Sequence, residues 1–146
     1  MSEMSAPQKA DDGGPPIPTW APKDESSDAA YSLEMIKNGT SVETVAIDPP
    51  RFLLGRAADC VQYPLAHASI SRVHVAFQRS ADGKLYVADC GSAHGSRLNK
   101  AALPALKYVE ARDGDVLQLG GSTRVFAVHC AARSRQEDVE RREEEE

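Results

Sequence analysis

Cysteine is scarce in this 146-residue chain, and so are the patterns that would mark several function classes. Cys60, Cys90 and Cys130 are odd in number, widely spaced and never in a C-x-x-C pair, and His67, His74, His94 and His129 do not complete a zinc-finger spacing. Reduced, partly buried thiols in a cytosolic or nuclear protein are expected, with no metal and no cofactor. No apolar run is long enough to span a membrane, and the N-terminus has no apolar signal-peptide core. A G-x-S-x-G elbow is missing as well. Ser71, His74 and Asp89 make a poor hydrolase set, because a Ser and a His three apart on a strand point to opposite faces. An enzyme is not expected.

Large apolar side chains are also missing from both ends. Residues 1–30 hold Met1, Met4, Ile17 and Trp20, and residues 133–146 hold only Val139. The formal charge of −5 divides the same way: −4 over residues 1–30, +2 over the middle and −3 over residues 133–146. Three regions follow: a disordered N-terminal tail (1–30), a folded body (31–132) and an acidic tail (133–146) that is frayed helix or coil. Pro15, Pro16, Pro18 and Pro22 keep the first tail irregular. Trp20 is the exception within it, since so much apolar area favours a partner; residues 17–22 are expected to lie across the body. Acidic ends around a slightly basic body speak against non-specific duplex binding. Neither membrane association nor direct sequence-specific nucleic-acid binding is expected.

What the body does contain is short period-two runs. Tyr31, Leu33 and Met35 alternate with polar neighbours up to Asn38-Gly39, a hairpin turn that also matches a glycosylation acceptor with Thr40. Val42, Val45 and Ile47 form the return strand, which Asp48-Pro49-Pro50 ends. Arg51-Phe52-Leu53-Leu54, a weak strand at Val61 to Leu65 broken by Pro64, and Val73-Val75-Phe77 follow. After Ala81-Asp82-Gly83 come Leu85 to Asp89, Ser96 to Leu98, Leu103-Pro104, Tyr108-Val109, Val116 to Leu119 and Thr123 to His129. With turns every few residues and no helical pattern, this predicts an all-β sandwich of about 11 short, mostly antiparallel strands.

Three runs fall where these strands break: Gly55-Arg56, Ser71-Arg72-Val73-His74, and Gly91-Ser92-Ala93-His94-Gly95-Ser96-Arg97-Leu98-Asn99. They combine guanidiniums, small hydroxyls and glycine-freed backbone N–H groups. An Arg fork meets two phosphate oxygens at once, hydroxyls and loop N–H groups add neutral donors, and glycines permit close approach. Singly each run reads as an ordinary turn, but their joint order suits holding a phosphate.

That order resembles the forkhead-associated (FHA) domain family over about residues 31–130, with Pro18-Thr19-Trp20, Leu54-Gly55-Arg56, Ile70 to His74, Ala88 to Ser96 and Gly120-Gly121-Ser122-Thr123-Arg124 as matching stretches. The resemblance implies an FHA-type β-sandwich and a phosphothreonine-peptide binding adaptor. Arg56 and Ser71 match the family's main phosphate-binding positions, with Arg72 and His94 also facing the phosphopeptide. Gly55 and His74 match residues that shape and brace the site, Gly91, Ser92, Gly95 and Ser96 the loop that contacts the peptide backbone, and Asn99 the asparagine that ties the binding loops together. The family's usual Thr-Asn-Gly-Thr reads Ala93-His94-Gly95-Ser96 here, which removes one hydroxyl and implies weaker binding, since a neutral hydrogen bond contributes about 1 kcal/mol. The implied partner is a threonine-phosphorylated protein with a Thr-Pro motif, in a spliceosomal or other nuclear assembly. Two alternatives stand beside it: a structural scaffold binding through its tails regardless of phosphorylation, and a phosphatase regulator. The Val75-Ala76-Phe77 spacing of a phosphatase docking motif falls in an expected buried strand, which counts against the latter.

Overall fold

The structure, a computed structural model, describes residue 10 and residues 12–22, 31–47, 50–81 and 83–130. The acidic tail expected at 133–146, the Asp48-Pro49 strand stop and Asp82 of the expected turn lie outside these residues. Eleven strands follow one another: β1 (Tyr31–Lys37), β2 (Thr40–Ala46), β3 (Arg51–Gly55), β4 (Tyr63–Pro64), β5 (Val75–Arg79), β6 (Leu85–Asp89), β7 (Ser96–Leu98), β8 (Ala101–Ala102), β9 (Val109–Ala111), β10 (Val116–Leu119) and β11 (Arg124–Cys130). They form two sheets, β2-β1-β11-β10-β7-β8 and β4-β3-β5-β6-β9. No helix occurs among the described residues.

The alternation in the sequence decides which face is buried. Tyr31, Leu33 and Met35 of β1 point inward beside Phe126, Val128 and Cys130 of β11 and meet Phe52, Leu54, Val75, Phe77, Leu85 and Val87 from the other sheet. Side chains of this size stabilise by about 1.5–3 kcal/mol each when fully buried. The β1–β2 turn is Asn38-Gly39 with φ of 54° and 78°, the two positive values a type I′ hairpin needs. β3 and β5 are buried on both faces, which explains their unbroken apolar runs. Behind them, Leu53, Val61, Ala76 and Cys90 form a second small cluster against which Val73 packs.

Three strand expectations need correction, the simplest being Leu103-Pro104, where the strand is instead Ala101–Ala102. The strand expected from Val73 begins only at Val75, because residues 71–73 leave the β6 ladder to pair as a loop with the end of β3. The strand expected from Val61 to Leu65 shrinks to Tyr63–Pro64, paired in parallel with Leu54 and Gly55. Pro64 is tolerated there because β4 is an edge strand, and the next donor, Leu65 N–H, reaches Gly55 O at 2.8 Å.

In residues 12–22 the chain lies against the outer face of the five-stranded sheet. Trp20 packs on Tyr86 and Tyr108, with ring centroids 4.6 and 5.2 Å apart, and Ala81 N–H donates to the Trp20 carbonyl at 2.9 Å. Contact starts well before the expected residues 17–22: Asp12 pairs with Arg51, and Tyr108 Oη donates to Pro16 O at 3.1 Å.

Candidate functional site

The pairings Leu54↔Val75, Val75↔Asp89, Leu119↔Ser96 and Gln118↔Val125 bring the end of β3, the start of β5, the β6–β7 connection and the β10–β11 connection to one end of the sandwich. Rigid strands thus carry the three chemistry-bearing runs to a common rim.

Gly55 is required there by close approach. A β-carbon on it would lie 2.2 Å from the carbonyl oxygen of Arg72. That contact lets Arg56 N–H donate to Ser71 O at 2.9 Å and Ala57 N–H to Arg72 O at 3.1 Å, so the Gly55-Arg56 and Ser71-Arg72 runs are zipped together. The exposed Arg56 side chain is held by one bond, from Nε to Ile70 O at 2.9 Å. Among the described residues its two Nη groups have no hydrogen-bond partner. Ser71 Oγ accepts the Ala93 N–H at 3.1 Å, which leaves the hydroxyl hydrogen available to an incoming acceptor. Arg72 is exposed, its guanidinium reaching the weak acceptor Cys60 Sγ at 3.9 Å, and His94 is exposed in the β6–β7 connection.

Beneath this rim sits a fully buried His74. Ser71 N–H donates to its Nδ1 at 3.0 Å, which assigns the ring proton to Nε2, and Nε2 lies 2.9 Å from Gly95 O. Gly95 O also accepts Gly120 N–H at 2.9 Å, so one imidazole and one carbonyl join three connections. Burial holds the His74 pKa below its ordinary value, outweighing the Gly95 carbonyl and Asp89, and a second proton on Nδ1 would face the Ser71 donor. Nδ1 bonds the Ser71 backbone and not its hydroxyl, so the Ser71–His74 pair has no nucleophile–base contact.

Sequence reasoning missed Asp89 as a member of the site. Its buried carboxylate accepts four donors: Gly91 N–H and Ser92 N–H at Oδ2, both 2.9 Å, and the Ser92 and Ser96 hydroxyls at Oδ1, both 2.6 Å. Ser92 Oγ in turn accepts Gly95 N–H at 2.9 Å. The hydroxyls of Ser92 and Ser96 are therefore turned inward, and the loop's outward surface consists of Ala93, His94 and backbone. The available signal was an Asp at a strand end two residues before Gly91-Ser92, a residue type suited to binding N–H groups a few positions on. Ser69 was missed too: its Oγ accepts Gly121 N–H at 2.9 Å, fixing the β10–β11 turn against the segment that leads to Ser71.

Asn99 is not brought to this rim. It sits after the three-residue β7, at the sheet's other end, with φ of 52°. Its Nδ2 donates to Asp115 Oδ1 at 3.0 Å and its Oδ1 accepts Val116 N–H at 2.9 Å, tying the β7–β8 turn to the β9–β10 connection. The expected tie between binding loops is made instead by Asp89, His74 and Ser69. Among the described residues no group of three His, Cys, Asp or Glu gathers as metal ligands.

Comparison with known proteins agrees with this architecture. Residues 52–120 match the FHA domain family. Human kanadaptin is 35% identical over 121 residues, covering 75% of this chain and 16% of kanadaptin. The protein phosphatase 1 regulatory inhibitor subunit homologue of Arabidopsis thaliana is 34% identical over 110 residues, 73% of this chain and 30% of the homologue. The chain thus spans less than a third of the length of these relatives. Among solved structures, the MEK1 FHA domain superposes with a TM-score of 0.63 at 27% identity, covering 70% of this chain and 90% of that domain. The chain belongs to the FHA-domain family, and its sandwich with the loop rim of Arg56, Ser71 and His94 is that domain.

Proposed function

We propose that this protein is a phosphopeptide-binding adaptor that holds a phosphothreonine of its partner between Arg56, Ser71 and Arg72. The observation that carries the reading is the pairing of a guanidinium held at Nε alone and a serine hydroxyl that accepts Ala93 N–H and keeps its own hydrogen free to donate. A phosphate carries close to two negative charges and three strong acceptor oxygens, and this pair supplies charged and neutral donors without bulk. His94 and the outward backbone of the Gly91–Ser96 loop take the peptide chain beside it. Threonine as the phosphorylated residue is supported by the MEK1 FHA domain, 27% identical, which has been solved with a phosphothreonine peptide of HOP1. A nuclear setting is supported by the human nuclear inhibitor of protein phosphatase 1, 29% identical, and by mouse Smad nuclear-interacting protein 1, 34% identical. A role in pre-mRNA processing and a Thr-Pro preference rest on the resemblance in sequence.

Arg56→Ala tests the reading by calorimetry with the best phosphothreonine peptide from an array. Removing one partner of a charged contact costs about 2–5 kcal/mol, which takes binding below detection for a micromolar ligand. Equal affinity of Arg56→Ala and wild type would overturn the site. Ala93, which lacks a hydroxyl at the rim, favours a second reading as a scaffold indifferent to phosphorylation. Equal binding of phosphorylated and unphosphorylated peptide would select it. Phosphatase regulation through Val75-Ala76-Phe77 is disfavoured because all three side chains are buried in β5.

A further inference from the structure

The N-terminal strap touches the loop that carries Ser71 and Arg72. It opens with a turn closed by Ala10 N–H to Gly14 O and Gly13 N–H to Ala10 O, both 2.9 Å, and by Gly14 N–H to Asp12 Oδ1 at 3.0 Å. Arg51 grips this turn from β3: its Nε donates to Asp12 Oδ2 at 2.6 Å, and its Nη2 to Asp12 Oδ1 at 3.0 Å and Pro15 O at 2.6 Å. Tyr108 Oη accepts Arg51 Nη1 at 3.0 Å and stiffens the grip. So held, Gly13 lies directly on Val73; a β-carbon on Gly13, whose φ is +87°, would come 3.2 Å from Val73 Cγ2. Val73 sits between Arg72 and His74, and the carbonyls of Ser71 and Arg72 are the two that Arg56 and Ala57 bind. Pressure on Val73 therefore bears on the same short segment that presents Ser71 Oγ and the Arg72 guanidinium.

We infer that the strap is a working wall of the phosphothreonine site, in which Asp12 and Arg51 are positioning residues that seat Gly13 on Val73 and hold Ser71 and Arg72 in their binding shape. This rests on the phosphopeptide reading above. Without the clamp the loop samples other arrangements, and binding bears the cost of restoring one of them. The strap meets Val73 and Arg51 and supplies no donor at Arg56 or Ser71 Oγ, so it acts on affinity alone and not on the requirement for phosphate.

The full chain is titrated with the best array phosphothreonine peptide and its unphosphorylated twin, in wild type, Arg56→Ala, Asp12→Ala and Asp12→Glu. Asp12→Ala weakens phosphopeptide binding about five- to tenfold, within the usual range of coupling between linked sites, and Asp12→Glu, which keeps a carboxylate for Arg51, recovers most of it. Amide NMR shifts of Ser71, Arg72 and His74 move in Asp12→Ala without peptide, a response that loss of a remote structural contact would not give. Should Asp12→Ala prove unstable, Asp12→Asn keeps the size, loses the charge and gives the same reading. Unchanged affinity in these variants, with wild-type binding still phosphate-dependent and lost in Arg56→Ala, overturns the inference and leaves the site intact. If wild type binds both peptides alike, the phosphopeptide reading falls, and this inference with it.

Discussion

At the loop rim, shape is set from inside: Asp89 and His74 are buried, and between them they fix six polar groups drawn from the β4–β5 connection, the β6–β7 connection and the start of β7. Across the outer face of the five-stranded sheet, shape is set from outside by a partly exposed ion pair, Asp12 with Arg51, and by Trp20 lying on two tyrosines while still 36% exposed. The first region is costly to disturb because each lost acceptor strands donors away from water. The second is inexpensive to disturb, since water can take over from an exposed partner. A rim with a rigid floor and an adjustable wall follows from that difference.

The comparison breaks most directly at Asp89. Asp89→Ala leaves four donors without an acceptor in a closed space, and a loss of about 4 kcal/mol is expected in urea denaturation. A loss under about 1 kcal/mol would mean that water enters the floor and that the two regions are built alike. Gly55→Ala comes next. Its new methyl would meet Arg72 O at 2.2 Å and Val73 Cα at 2.9 Å, backbone atoms that can yield only if the zipped loops separate. Overpacking of this kind costs about 3 kcal/mol, and phosphopeptide affinity should fall with it. By contrast, Asp12→Ala should lower stability by no more than about 1 kcal/mol, as expected of a partly exposed pair.

How much of this was legible in the sequence divides along the same line. Local signals carried the strands: alternation marked β1 and β11, and Asn38-Gly39 marked its hairpin, because a two-residue period and a positive-φ turn are properties of neighbouring residues. The order of short loops singled out Arg56, Ser71 and His94, and their loops lie at one end of the sandwich. Asp89 was passed over because its role comes from burial at a strand end, where its four partners converge only after β6 and β7 join different sheets. The displacement of Asn99 has a similar cause: three residues of β7 carry it about 10 Å from Ser96, a distance that sequence spacing alone does not orient. The early start of the strap was hidden because Asp12 and Arg51 are 39 positions apart, and nothing local links an acidic tail to a strand-start arginine.

Acid separates the two regions with the smallest perturbation. His74 has its folded pKa depressed by burial, so the unfolded chain binds a proton first as the pH drops; stability is complete above the ordinary value of 6.5 and declines as pH falls below it toward the depressed folded value. Asp12 has its pKa lowered chiefly by the Arg51 hydrogen bonds; the strap's contribution is present above the ordinary value of 3.8 and is lost only as pH falls below that. Urea midpoints measured without peptide should therefore fall as the pH drops below 6.5, while native-state Trp20 emission, the strap's own reporter, stays constant until the carboxylate range is reached. His74→Gln should flatten the midpoint profile from a lower starting stability. Peptide must be absent, because the second phosphate ionisation near pH 6 would add its own slope. If native Trp20 emission shifts in step with the midpoint, then protonation of the floor is felt by the wall, and the two regions form one cooperative unit joined through Val73 and Gly13.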